Sequence, residues 1–407
     1  MNWKKILIVL LFVGVIGMVA FGLYYLFFRG AVTPEVPPEV NVNEAVSPLP
    51  IAPIGAPTGE APVAPGALEL PPGVSEFADG GTTLTTPMTQ TPTIGASLSS
   101  NGSLNFYSQF DNKFYRMTAD GNMEALSNVE FHNVSNATFD QSGNKAIIEY
   151  PDRSKIYYNF ETGQQVTIPK HWEEFSWDPS GEKIAAKSIG IDISNRFLVT
   201  SNPDGSNARA VQELGSNADK VQVNWSPNNQ IIATSRTGES FGIGTQEVYF
   251  VGQNHENFKS MVVDGLDFRP QWNPNGEQML YSAASELSDY KPMLWVVDAI
   301  GDDIGKNRRS LGVNTWADKC TFGDENTLYC GVPDELPTGA GLQPAVYEEE
   351  NIPDSLYKID LNTGLQTKLA VPEGAHQIGK LMITQDKKNL YFTDSVNGVI
   401  NKIKLEP

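Results

Sequence analysis

Residues 176–188 (SWDPSGEKIAAKS), 224–235 (NWSPNNQIIATS) and 271–283 (QWNPNGEQMLYSA) decide the fold. Each carries a Trp, then a short polar turn holding Pro, then an apolar run with the character of a strand. Weaker copies lie on either side, at 97–107 (SLSSNGSLNFY), 138–150 (TFDQSGNKAIIEY), 321–332 (TFGDENTLYCGV) and 382–394 (MITQDKKNLYFTD). The leading positions, Leu98, Phe139, Trp177, Trp225, Trp272, Phe322 and Ile383, stand 38 to 61 residues apart. That period belongs to propeller blades rather than helical solenoids. Four residues after each comes Gly102, Gly143, Gly181, Asn229, Gly276, Asn326 or Lys387. Gly and Asn adopt positive φ at little cost, so the spacing predicts a hairpin in every copy, with Lys387 its least orthodox turn residue.

A third strand follows each hairpin, in KFYRMTADG, KIYYNFETG, RFLVTSNPDG, EVYFVGQNHEN, MLWVVDAIGDD, SLYKIDLNTG and GVINKIKLEP. Aromatic and β-branched residues at alternating places are strand material. A fourth strand is predicted in six copies, at MEALS, QQVTIP, ARAVQE, FKSMVV, RRSLGV and LQTKLAV, but the seventh copy runs out at Pro407. An unpaired outer edge is an aggregation liability. The β-prone segment 82–86 (TTLTT) is therefore expected to complete blade seven beside 399–405; the alternative is a three-stranded last blade.

The copies at 176, 224 and 271 resemble the WD40-like (TolB-type, PD40) β-propeller repeat, and the resemblance extends over roughly residues 94–407. It implies an all-β, seven-bladed β-propeller that binds a protein or peptide through its central opening and face loops. The copies at 97 and 382 depart from the pattern, lacking both Trp and Pro.

Of 407 residues, 40% are hydrophobic, enough to bury a core, and the formal net charge is −19. Nucleic acid is an unsuitable partner for such a chain, because phosphate binding needs clustered Lys and Arg. Residues 6–28 (ILIVLLFVGVIGMVAFGLYYLFF) hold no charge. At about 1.5 Å per residue they reach about 34 Å, enough for a hydrocarbon layer of about 30 Å. Lys4 and Lys5 precede the run and only Arg29 follows directly, so the N-terminus is expected in the cytoplasm and the remainder outside. A signal sequence is the alternative, but the run exceeds the usual 7–15 residues and no small-x-small cleavage site ends it. The sequence thus predicts residues 1–29 as cytoplasmic N-terminus and single-pass membrane anchor. Residues 30–81, rich in Pro, Ala and Gly, read as a disordered linker, and 82–407 as the propeller.

Cys320 and Cys330, the chain's two cysteines, flank the sixth hairpin. Pairing Phe322 with Leu328 and Thr321 with Tyr329 sets them opposite each other, at a separation that suits a disulfide in an oxidising compartment. Two buried thiols are the alternative. Gly238-Glu239-Ser240-Phe241-Gly242 matches G-x-S-x-G, yet no helix follows to make the elbow that motif needs. His132, His171, His255 and His376 fall in different copies or links, with no paired carboxylate visible. Asp298, Asp302 and Asp303 form an acidic turn without calcium-loop spacing. No catalytic residue, metal ligand or cofactor site is therefore predicted. The long insertion 333–354 is the candidate partner-binding loop, through Tyr347, Glu348, Glu349 and Glu350. The reading is a membrane-anchored, extracytoplasmic, non-enzymatic platform for a protein or peptide partner in the cell envelope. Binding of envelope polysaccharide, or descent from a propeller-containing peptidase or dehydrogenase, are the alternatives.

Overall fold

The computed structural model describes Met18 and residues 70–406, apart from 119–120, 243, 345–346 and 348–349. The chain divides into two units, 1–67 and 68–407, and the sheets described here belong to the second. Met18 apart, the expected anchor and the linker as far as residue 69 lie outside the described residues. Among the described residues no helix is long and apolar enough to cross a membrane.

Seven sheets form, one for each repeat. Blade one comprises Thr93–Leu98, Leu104–Ser108, Lys113–Met117 and Met123–Ala125, each antiparallel to the next. Blades two to seven begin with the inner strands Asn136–Phe139, Trp172–Trp177, Val221–Val223, Leu266–Trp272, Cys320–Asp324 and Ile378–Ile383. A twisted four-stranded sheet leaves both faces apolar, so each blade must hide them against its neighbours. Tyr107 and Phe114 of blade one pack with Phe139 and Ile148 of blade two. Equivalent clusters join each successive pair. The seventh cluster sets Met382 and Tyr391 of blade seven against Phe106 and Met117 of blade one, and this contact closes the ring.

The hairpins of blades two to five are held by a side chain directly after the leading residue. Asp140 accepts the amide of Lys145 at 2.9 Å, Asp178 that of Lys183 at 2.8 Å, Ser226 that of Ile231 at 2.9 Å and Asn273 that of Gln278 at 3.0 Å. Leading Trp residues also tie blades together: the Trp177 indole donates to the Thr138 carbonyl at 2.9 Å, and Trp272 to that of Asn224 at 3.0 Å. Lys387 does adopt positive φ, at 57°. Asn326 does not, because the sixth hairpin is shorter: Asp324 pairs with Thr327 across two residues.

The segment expected to close the ring is shared between two blades. Thr86–Pro87 pairs with Asn401 and Lys402 as the outer strand of blade seven. Thr82–Thr83 instead runs parallel to Val371 and Pro372, as a fifth strand on blade six. Pairing also begins before residue 82, since Phe77 bridges Lys404 and Ser75 bridges Thr83. The boundary drawn at 81 from proline content is thus too late. Gly80 donates its amide to Leu369 at 2.7 Å, so the edge strands capture this stretch despite its loop-like composition.

Candidate functional site

Antiparallel order decides which loops share a face. The inner strands all start at one face, here called the upper face. Links between second and third strands, and from one blade to the next, lie there too; the insertion 334–353 is such a link in blade six. At this end the inner strands of blades one, three, five and seven are irregular, between Ile94 and Ser97, Glu173 and Ser176, Leu266 and Arg269, and Ile378 and Leu381. Such bulges bend a strand and re-aim its side chains. Glu174 and Asp267 take positive φ there, which costs a non-glycine residue of order 1 kcal/mol. Both carboxylates are answered. Glu174 meets the Lys187 ammonium at 2.5 Å, and Asp267 accepts from Arg269 Nε at 3.0 Å and from Trp316 Nε1 at 3.1 Å.

Two cavities open along the channel enclosed by the inner strands. The larger, about 680 Å³, lies between blades four to seven, with Arg269, Trp316, Lys319, Tyr347, Gln377 and Lys380 in its wall. The smaller, about 390 Å³, lies between blades seven, one and two. Gly379 and Lys380 line both. Lys380 is exposed to the water of the channel, and desolvation by the channel wall holds its ammonium below the usual lysine pKa.

The wall of the larger cavity rests on a buried ion pair. Lys319 Nζ lies 2.7 Å from Asp354 Oδ2, and the Ile378 amide donates to the same oxygen at 2.5 Å. Burial pushes the Asp354 carboxyl up to about 6, against the pull of the Lys319 ammonium. Tyr347 packs against Trp316 with tilted rings and centroids 4.7 Å apart, and Lys319 Nζ lies 5.2 Å from the Tyr347 ring. Beside them His376 contacts Asp394 Oδ2 through Nδ1 at 2.8 Å, and that hydrogen bond raises the imidazole pKa above 6.5.

Around the cavities the upper face carries exposed apolar side chains. Phe110, Ile191, Phe241, Leu287, Leu342 and Val396 come from the second-to-third-strand links of blades one, three, four, five, six and seven. Phe110 is 80% exposed, Leu287 79% and Ile191 fully. On the opposite face, among the described residues, the exposed large apolar side chains are Met123 and Leu365.

The residues singled out from sequence fall as follows. Cys320 and Cys330 are joined in a disulfide across the register Cys320–Cys330, Thr321–Tyr329 and Phe322–Leu328. Tyr347 is buried in the insertion's own small core with Trp316 and Ala340, its ring forming part of the cavity wall. Glu350 is exposed; Glu348 and Glu349 lie outside the described residues. Ser240 sits on a blade-four loop, where its hydroxyl donates to the Gly242 carbonyl at 3.1 Å. His132, His171 and His255 are exposed. Asp303 pairs with Lys306 at 2.6 Å in a turn on the lower face. Among the described residues no three His, Cys, Asp or Glu side chains group to hold a metal. Sequence reasoning missed Lys319, Asp354 and Lys380. A lysine directly before a strand gives no sign of its burial, and channel-facing positions show only once the bulges are known.

No protein-family model matches the chain, and comparison with curated proteins gives no match. Among solved structures it is similar to the β-propeller domain of Cps50 (Swd1) from Myceliophteria thermophila. Identity is 10%, covering 79% of this chain and 99% of that one, with a TM-score of 0.53. It also resembles an oligogalacturonate lyase in complex with manganese, at 13% identity over 79% of this chain and 93% of that one, with a TM-score of 0.49. Tricorn protease gives 12% identity over 84% and 35%, also with a TM-score of 0.49. The Cps50 likeness shows the propeller fold alone, since propellers host many functions.

Proposed function

We propose that the protein is a non-enzymatic platform of TolB-like type, anchored in the membrane by residues 6–28 and holding its propeller outside the cytoplasm to bind a protein or peptide. The observation that carries this reading is the gathering of exposed apolar tips on the loops of one face. Large apolar side chains recurring on the loops of one face, and nearly absent from the other among the described residues, make that face the one we assign to a partner. The Cys320–Cys330 disulfide fits a compartment where such bonds persist. The Pro-rich linker supplies reach from the bilayer and raises the local concentration of the binding face there. In-cell crosslinking tests the reading. Phe110→Ser with Leu287→Ser is expected to abolish capture of partners while leaving the far-ultraviolet dichroism unchanged. Capture of the same partners by an anchored chain lacking 82–407 refutes it.

A further inference from the structure

Charged residues on the inner strands pair off, with one exception. Glu173 lies 3.7 Å from Arg153, Glu174 meets Lys187, Asp267 meets Arg269, and Asp324 meets Lys387. Lys380 has no hydrogen bond or counter-ion among the described residues, although the chain carries 48 Asp and Glu against 29 Lys and Arg. In a protein with so large a surplus of carboxylates, an ammonium in the channel wall that meets none of them is left available to an incoming anion.

Lys380 lines two cavities of different charge, and the larger holds Asp318 together with Arg269 and Lys319. The smaller cavity contains no carboxylate in its wall. It offers the hydroxyl groups of Thr93, Ser97, Thr138 and Thr393 together with the Asn136 amide. In the larger cavity Gln377 is buried, and its side-chain nitrogen finds no hydrogen-bond partner. An unsatisfied buried donor is expensive unless something supplies the acceptor. Gly379 lets the strand pass close to Ser395, since a Cβ there would stand 2.7 Å from Ser395 Oγ.

We propose that the channel receives a carboxylate, presented on an acidic side chain of a bound peptide, with Lys380 as its counter-ion and the Gln377 amide as a neighbouring donor. This rests on the platform reading and adds the chemistry that the channel selects. A peptide suits the space better than an anionic sugar, because the aromatic rings in the channel wall, Phe139, Trp316 and Tyr347, are packed against other side chains and present no free stacking surface. A single carboxylate suits it better than a polyacid, which the net charge of −19 repels at long range.

Binding to the full-length chain in detergent tests this by ligand-observed NMR. The probes are the capped peptide Leu-Gly-Glu-Gly-Leu, its Gln counterpart, and glutarate as a free carboxylate source. The Glu peptide is expected to bind, the Gln peptide and glutarate to bind at least tenfold more weakly, and Lys380→Gln to reduce Glu-peptide affinity at least tenfold. Because Lys380 has no partner to strand, Lys380→Gln should melt no lower than the parent, which separates lost binding from lost folding. Equal binding of the Glu and Gln peptides, or of the Glu peptide by parent and variant, overturns the proposal; glutarate binding as tightly as the peptide overturns the peptide assignment. Loss of partner capture by the Phe110 and Leu287 variants together with an unaffected Lys380→Gln leaves the platform standing and this inference refuted.

Discussion

Lys319 and Lys380 both line the larger channel cavity and meet opposite circumstances. Lys319 is buried on Asp354, so Lys319→Met strands a buried carboxylate and is expected to destabilise the fold by about 3–5 kcal/mol. Urea unfolding checks this, and Asp354→Asn in the same background should recover part of the loss by removing the stranded charge. His376 supplies a pH dependence. Its pKa is raised by Asp394, so its contribution to stability is complete below about pH 6.5 and is lost as pH rises through the higher folded value. Denaturation midpoints at pH 6 and pH 8.5 should therefore differ less in His376→Asn than in the parent. Little of this was legible beforehand. Beside three glutamates in a long insertion, Tyr347 read as an exposed recognition residue. Its partner Trp316 arrives from the link between blades five and six, and no sequence spacing connects the two.

Strands and hairpins, by contrast, were written plainly. The leading apolar residue, the turn residue four places on and the apolar run after it are local signals, and local geometry obeys them everywhere but at Asn326. The small polar residue after the leading position of blades two to five could have been read as well, since Asp140, Asp178, Ser226 and Asn273 share one place in the repeat. Closure was legible only in part. Counting strands demands one more for blade seven, but nothing in TTLTT tells Thr82–Thr83 to join blade six and Thr86–Pro87 to join blade seven. This division makes the segment a clasp across two blades. A chain starting at residue 88 should accordingly elute as larger species in size-exclusion chromatography and be cleaved by protease within blade seven, whereas a chain starting at residue 70 should remain monodisperse. Equal behaviour of the two would show that the clasp is dispensable.

At the scale of the propeller unit, the seven blades present unlike faces. The lower face is built from tight hairpins whose turns are occupied by their own hydrogen bonds. The upper face carries the blade-to-blade links, the bulged strand ends, the insertion of blade six and the apolar tips. Repetition explains why the architecture could be read from sequence: seven imperfect copies reinforce one another, and an error in one is corrected by the rest. A binding face has no such redundancy, because Phe110, Ile191 and Leu287 lie on loops that share no motif. Site-specific photo-crosslinking in cells addresses the central claim most directly, with a benzophenone side chain placed in turn at Phe110, Leu287 and the lower-face Leu365. Discrete protein adducts from Phe110 and Leu287 and none from Leu365 are predicted. Adducts of equal yield from all three positions, or from Leu365 alone, would contradict a partner-binding upper face.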